Sequence, residues 1–234
     1  MKRIGRLWVA VTAVLVIGGC SNTEGKKTSG SEPPAERGAA VGTGGAGANV
    51  KSDPEFVHDV ASKNLAEIEL SHMALQKSTS PEIKAFAQMM IHDHGAAADK
   101  LKTVVSGAID WPTQLDDKYR KTADDLAKKQ DLDFDRDYVE AMIEGHQDLA
   151  AKLESRLDVQ SIAEWKTAAA GRTQGKALPE PKVEMTDVQV RPNKSDSGIT
   201  MKINQWAADT YPVAQKHLDT ARTLENATKK RSTN

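Results

Sequence analysis

The chain has a single cysteine in 234 residues, Cys20, and it stands at the end of an apolar run near the N-terminus. Placed there, Cys20 is expected to carry lipid. A thiol used for lipid leaves none for disulfides, thiolate metal ligands or a cysteine nucleophile. Aromatic residues make up only 4% of the chain, and 32 Lys and Arg nearly balance 33 Asp and Glu. Charge so balanced provides no basic surface for nucleic acid, and no nucleic-acid partner is expected. No serine sits in a nucleophile elbow, and no glycine-rich loop follows a strand pattern. These absences weigh against an enzyme without naming another role.

What the N-terminus does have is an address. Lys2, Arg3 and Arg6 precede an apolar run over 7–17, about the length of a signal-peptide core. The run is short of the roughly 20 residues a membrane-spanning helix needs. It ends Val16-Ile17-Gly18-Gly19-Cys20-Ser21, which resembles a bacterial lipobox. The expectation is a lipoprotein signal peptide over 1–20, cleaved before a lipidated Cys20. The absence of aspartate after it suggests the outer membrane, facing the periplasm. Residues 21–52 are rich in Gly, Ser, Ala and Lys and carry Pro33-Pro34. They read as a flexible tether with an r.m.s. reach of about 30 Å.

From 53 onward the pattern is helical. Ser52 and Glu55 have capping-box spacing at the start of a first helix to about 78. Ser80-Pro81-Glu82 opens a second, with a capping serine and proline at the first helical position. Its seam is Ile83, Ala87, Met90, His94, Ala97, Leu101 and Val104, at alternating spacings of four and three. A short helix is expected over 111–129. A third long helix over 132–157 has Phe134, Tyr138, Val139, Met142, His146, Leu149 and Leu153 in its seam. The last runs over 199–227 with Ile203, Trp206, Thr210, Val213, His217 and Leu224, and it contains Pro212, where a kink is expected. Between them, 158–198 is rich in Gly and Pro and lacks periodicity. It reads as a long loop, with one short strand pair over 183–190. Residues 229–234 read as a solvated tail. The whole is an all-α, antiparallel four-helix bundle over 53–228.

Three of the four seams contain a histidine: His94, His146 and His217. Glu67 lies at the edge of the first helix's apolar face. Counting 1.5 Å per residue from the helix ends brings all four to the middle of the bundle. Imidazole and carboxylate at one level is how bundles build metal sites, and this set suits one ion of zinc, copper or iron. Asp93 would orient a ring from behind. The plainer expectation is a buried hydrogen-bond network, with Tyr138 and backbone carbonyls as partners, that fixes the bundle. A di-iron centre needs two Glu-x-x-His motifs; Glu69-Leu70-Ser71-His72 is the one copy and Glu69 points off the core face. Met89 and His92 on the outer face of the second helix offer a weaker copper-binding pair.

Several short motifs occur in order: Ala66-Glu67-Ile68-Glu69-Leu70, Met90-Ile91-His92-Asp93-His94, Phe134-Asp135-Arg136-Asp137-Tyr138 with His146, and Pro212 with His217-Leu218. Together they resemble the domain of unknown function 4142 family over about residues 53–226. The resemblance implies a ferritin-like bundle of an exported or outer-membrane protein. It also singles out Glu67, Asp93, His94, Asp135, Tyr138, His146 and His217. The insertion at 158–198 departs from the family pattern. The family brings no activity with it. Two readings therefore stand: a lipid-anchored binding or structural module with a polar core layer, or a transition-metal-binding envelope protein with a redox or stress-protective role.

Overall fold

The structure is a computed structural model that describes residues 52–107, 109–173 and 188–232, all within one compact unit spanning Gly45–Asn234. The signal segment, Cys20 and the tether lie outside the described residues. Among the described residues there are six helices: α1 (Asp53–Lys77), α2 (Pro81–Val105), α3 (Asp117–Ala127), α4 (Asp131–Glu154), α5 (Val159–Thr173) and α6 (Gly198–Ser232). Among the described residues there is no strand, only an isolated bridge between Leu157 and Pro192. None of the helices is long and apolar enough to cross a membrane.

Local chemistry sets the helix ends. The Glu55 carboxylate accepts from the Ser52 backbone N–H at 3.1 Å, closing one side of the expected capping box. Ser80 Oγ accepts from Ile83 N, and Pro81 occupies the first helical position. At the far end of α2, Ser106 turns left-handed at φ 47° and Gly107 follows at φ 75°, which stops the helix.

The helices α1, α2, α6 and α4 pack in that order around one core. Side-chain pairs fix their directions. Asp53 at the start of α1 meets Arg156 just after α4, while Glu67 meets His146, so α1 and α4 are antiparallel. Ala97 meets Trp206 and Asp93 meets His217, so α2 and α6 are antiparallel. α2 therefore ends where α4 also ends. The chain between them must run the length of the bundle to start α4 at the opposite end. Residues 106–130 make that crossover, and α3 packs along it on α1 and α4. A long crossover of this kind distinguishes a ferritin-like bundle from a simple up-and-down one.

Three boundaries differ from the sequence reading. The short helix starts at Asp117, not near Trp111, and Leu115 keeps its carbonyl as an acceptor for the Arg120 guanidinium at 2.8 Å. The expected loop over 158–198 begins instead as α5. Asp158 caps it by accepting from Ser161 N at 2.8 Å, and Trp165 packs edge-on against Tyr211 of α6 at 5.4 Å. The expected strand pair over 183–190 falls largely outside the described residues; Val188, Gln189 and Val190 are described and are not in a strand. Finally α6 runs through the expected tail to Ser232. Lys229 pairs with Glu225 at 2.7 Å and Arg231 reaches Asp135 at 3.6 Å, so those cations extend the helix rather than end it.

Candidate metal centre

Two apolar clusters fill the core. One gathers Phe56, Leu101, Leu153, Ile203 and Trp206 toward the end where α1 begins. The other gathers Phe86, Met90, Phe134, Tyr138 and Met142 toward the end where α2 begins. His94, His146 and His217 lie between them, each at most 4% exposed. One nitrogen from each ring lies within 4.8 Å of those of the other two.

The outer nitrogens decide what the inner ones are. Asn64 donates its amide N–H to the His94 carbonyl at 2.6 Å, which turns its oxygen toward His94 Nδ1 at 2.5 Å. That oxygen can only accept, so His94 carries its proton on Nδ1. His146 Nδ1 lies 2.9 Å from the Met142 carbonyl, another pure acceptor. His217 Nε2 lies 2.9 Å from Asp93 Oδ2. Each outer nitrogen is thus a donor, and each inner one carries a lone pair. The inner atoms are His94 Nε2, His146 Nε2 and His217 Nδ1, with His146 Nε2 3.3 Å from each of the other two. Burial, reinforced by the neighbouring rings, holds His94 well below the usual imidazole range. Burial likewise pushes His217 down to about 4, against the pull of Asp93. The neutral rings thus turn their lone pairs toward one another at the centre of the layer.

Glu67 is 3% exposed, but it is not where four ligands at one level would put it. Its oxygens stand behind the rings, 3.2 Å from His94 Nδ1 and 3.6 Å from His146 Nδ1. Neither oxygen has a hydrogen-bond partner, and burial raises the carboxyl above its ordinary range. The carboxylate fits because position 145 is glycine: a Cβ there would lie 2.5 Å from Glu67 Oε1. On its other side is a cavity of about 100 Å³ lined by Lys63, Tyr119, Gly145 and Asp148. Lys63 itself is buried and paired with Asp148 at 2.8 Å.

The remaining candidates divide. Asp93 does stand behind a ring, and it also takes the exposed His92 at 2.8 Å. Those two imidazoles outweigh its partial burial and lower its carboxyl. Tyr138 touches none of the histidines; its hydroxyl meets Ser71 Oγ at 3.0 Å, and Ser71 donates to the Glu67 carbonyl. Asp135 precedes His146 by 11 residues, about 16 Å along α4, and lies beside Arg231 instead. It takes no part in the layer. Asn64 and Gly145 were missed. Asn64 could have been found as the polar residue on the apolar face of α1 one turn before Glu67.

A family model described as "Domain of unknown function (DUF4142)" matches residues 39–175. The chain belongs to the DUF4142 family. The match includes α1 to α5 with Glu67, Asp93, His94 and His146, and it stops before α6 and His217. No curated protein matches this DUF4142 chain. Two solved structures resemble it. One is "CopM in the Cu(II)-bound form", 17% identical with a TM-score of 0.48 over 75% of this chain and 96% of that one. The other is "CopM in the Ag-bound form (by co-crystallization)", 18% identical with a TM-score of 0.45 over the same shares.

Proposed function

We propose that this protein binds one late transition-metal ion, copper or zinc, through His94 Nε2, His146 Nε2 and His217 Nδ1. The observation that carries the reading is the convergence of three ring nitrogens whose opposite nitrogens each meet an acceptor. A hydrogen-bond network that merely fixed the bundle would place donors against acceptors there. Donors about 2.0–2.1 Å from a tetrahedral ion stand roughly 3.3–3.4 Å apart, close to the two 3.3 Å separations found. An all-imidazole set suits copper and zinc, and copper(II) stands highest in the affinity order of divalent ions.

Glu67 supports the same reading. A buried carboxyl with no hydrogen-bond partner is costly on its own. A cation in the triad would supply its counter-charge through the rings, while the hydrogen-bonded carboxylate that strengthens a ligand from behind is Asp93, on His217. The test is X-ray absorption of the ion-loaded protein. Three imidazole nitrogens are expected around the ion, and a shell dominated by oxygen would overturn the assignment.

We also propose that Cys20 is lipidated and that the tether holds the domain off the outer membrane, facing the periplasm. The apolar run and the lipobox-like sequence support this. Cys20→Ser is expected to leave an uncleaved precursor without lipid label; labelled palmitate in that variant would refute it.

A further inference from the structure

The triad is packed asymmetrically. On the side toward the start of α2, Met90 and Met142 lie one turn from His94 and His146, and both are fully buried. On the other side the chain places two alanines and a leucine. Ala97 follows His94 by three, Leu149 follows His146 by three, and Ala214 precedes His217 by three. Since α6 runs opposite to α2 and α4, all three lie one turn toward the same end of the bundle. The two alanines leave a cavity of about 20 Å³, room for one water-sized molecule.

His94 and His217 form part of the cavity wall, and Val60, Ala97, Leu149, Trp206 and Ala214 form the apolar remainder. The polar groups at its edge are already committed. Asn64 holds His94, Asp93 holds His217, and the Thr210 hydroxyl donates to the Trp206 carbonyl at 2.7 Å. Of its lining residues, Val213 of α6 is 39% exposed and the Asp93 side chain of α2 28%, so the seam between these helices is its nearest way to solvent.

We infer that this cavity is an open coordination position, which takes one small exogenous ligand, water or a small anion, through the α2–α6 seam. The inference rests on the metal-binding reading. Three protein donors and an open fourth place make a site that exchanges ligands, whereas a structural site is closed by a fourth side chain. Here the apolar wall offers no such side chain, and the methionine layer seals the opposite face.

The test uses azide, a slender linear anion, with the copper(II)-loaded full chain. Azide is expected to add in one-to-one ratio and produce a new charge-transfer band. Ala97→Leu, which fills the cavity, is expected to weaken azide at least tenfold while copper uptake changes less than threefold, since Ala97 does not contact the ion. Ala97→Val is the substitute if the leucine variant does not fold. Copper uptake without any azide band would overturn the open position and leave the metal reading intact. Azide binding undiminished in the filled variant would overturn the cavity as its location. Failure to take up either copper or zinc would overturn the metal reading and this inference with it.

Discussion

Two polar clusters packed between the helices of this bundle differ in how their atoms are paired. At the end where α1 begins, the Arg156 guanidinium donates to Asp53 Oδ1 at 2.5 Å and to the Ser52 carbonyl at 3.3 Å. Thr200 donates to the other Asp53 oxygen at 2.6 Å, and the Phe56 ring lies 4.4 Å under the guanidinium. Every one of those polar contacts joins a donor to an acceptor, and together they tie α1, α6 and the end of α4. That is how a structural cluster offsets its desolvation. The histidine layer is satisfied only at its periphery. Its outer nitrogens are paired as carefully as Arg156, yet at its centre the ring nitrogens meet only one another. A protein that needed only rigidity at mid-bundle had a simpler solution in the apolar layers on either side.

The largest effect that separates the two clusters belongs to Arg156→Ala. It leaves Asp53, half-buried with its side chain 20% exposed, without its cation and is expected to cost on the order of 3 kcal/mol of stability. Ion bound per folded molecule should not change; denaturant unfolding with parallel metal analysis checks both. His146→Ala should do the reverse. It removes the central donor, and affinity should fall by more than the roughly 10–100-fold that loss of an orienting partner causes. Equilibrium dialysis reads this directly, and retention of wild-type affinity would place the ion elsewhere.

Acid should act on the histidine layer in the ion-free protein. The His217 pKa is depressed to about 4 in the fold from an ordinary 6.5, so between these values the unfolded chain binds more protons. Stability is therefore complete above pH 6.5 and declines as pH falls toward about 4. The slope is on the order of 1.4 kcal/mol per pH unit for each proton taken up. Melting temperature against pH, with and without ion, measures it; bound ion should displace the decline to lower pH. The smallest effect is that of Gly145→Ala. The new Cβ moves the Glu67 carboxylate into the cavity beside Lys63, which has room for it. Stability should stay within about 1 kcal/mol, while metal affinity drops about tenfold through loss of the carboxylate behind the rings.

The seams of the four long helices could be read because burial imposes a 3.6-residue period, and a histidine in a seam stands out against it. Their shared level followed from counting turns, since a helix is a ruler. Other features depended on contacts that no period reports. Glu67 was legible as buried, but whether it faced the centre or the backs of the rings turned on a glycine in another helix. Asp135 stood out by family resemblance alone, and 11 residues of helix separate it from His146. Residues 159–173 lacked a seam because α5 buries little beyond Ser161, Ile162 and part of Trp165. It is held by its cap, by Ile162 and Trp165 against the core, and by the ion pairs of Lys166 with Glu154 and of Glu164 with Arg191 rather than by a continuous apolar seam.

The central claim is that three imidazoles assemble a site for one ion. Calorimetric titration of the chelator-treated chain with copper or zinc at neutral pH tests it most directly. The account predicts uptake of about one equivalent by the wild type and none by the protein lacking His94, His146 and His217. No uptake by the folded wild type, with all three histidines intact, would contradict it.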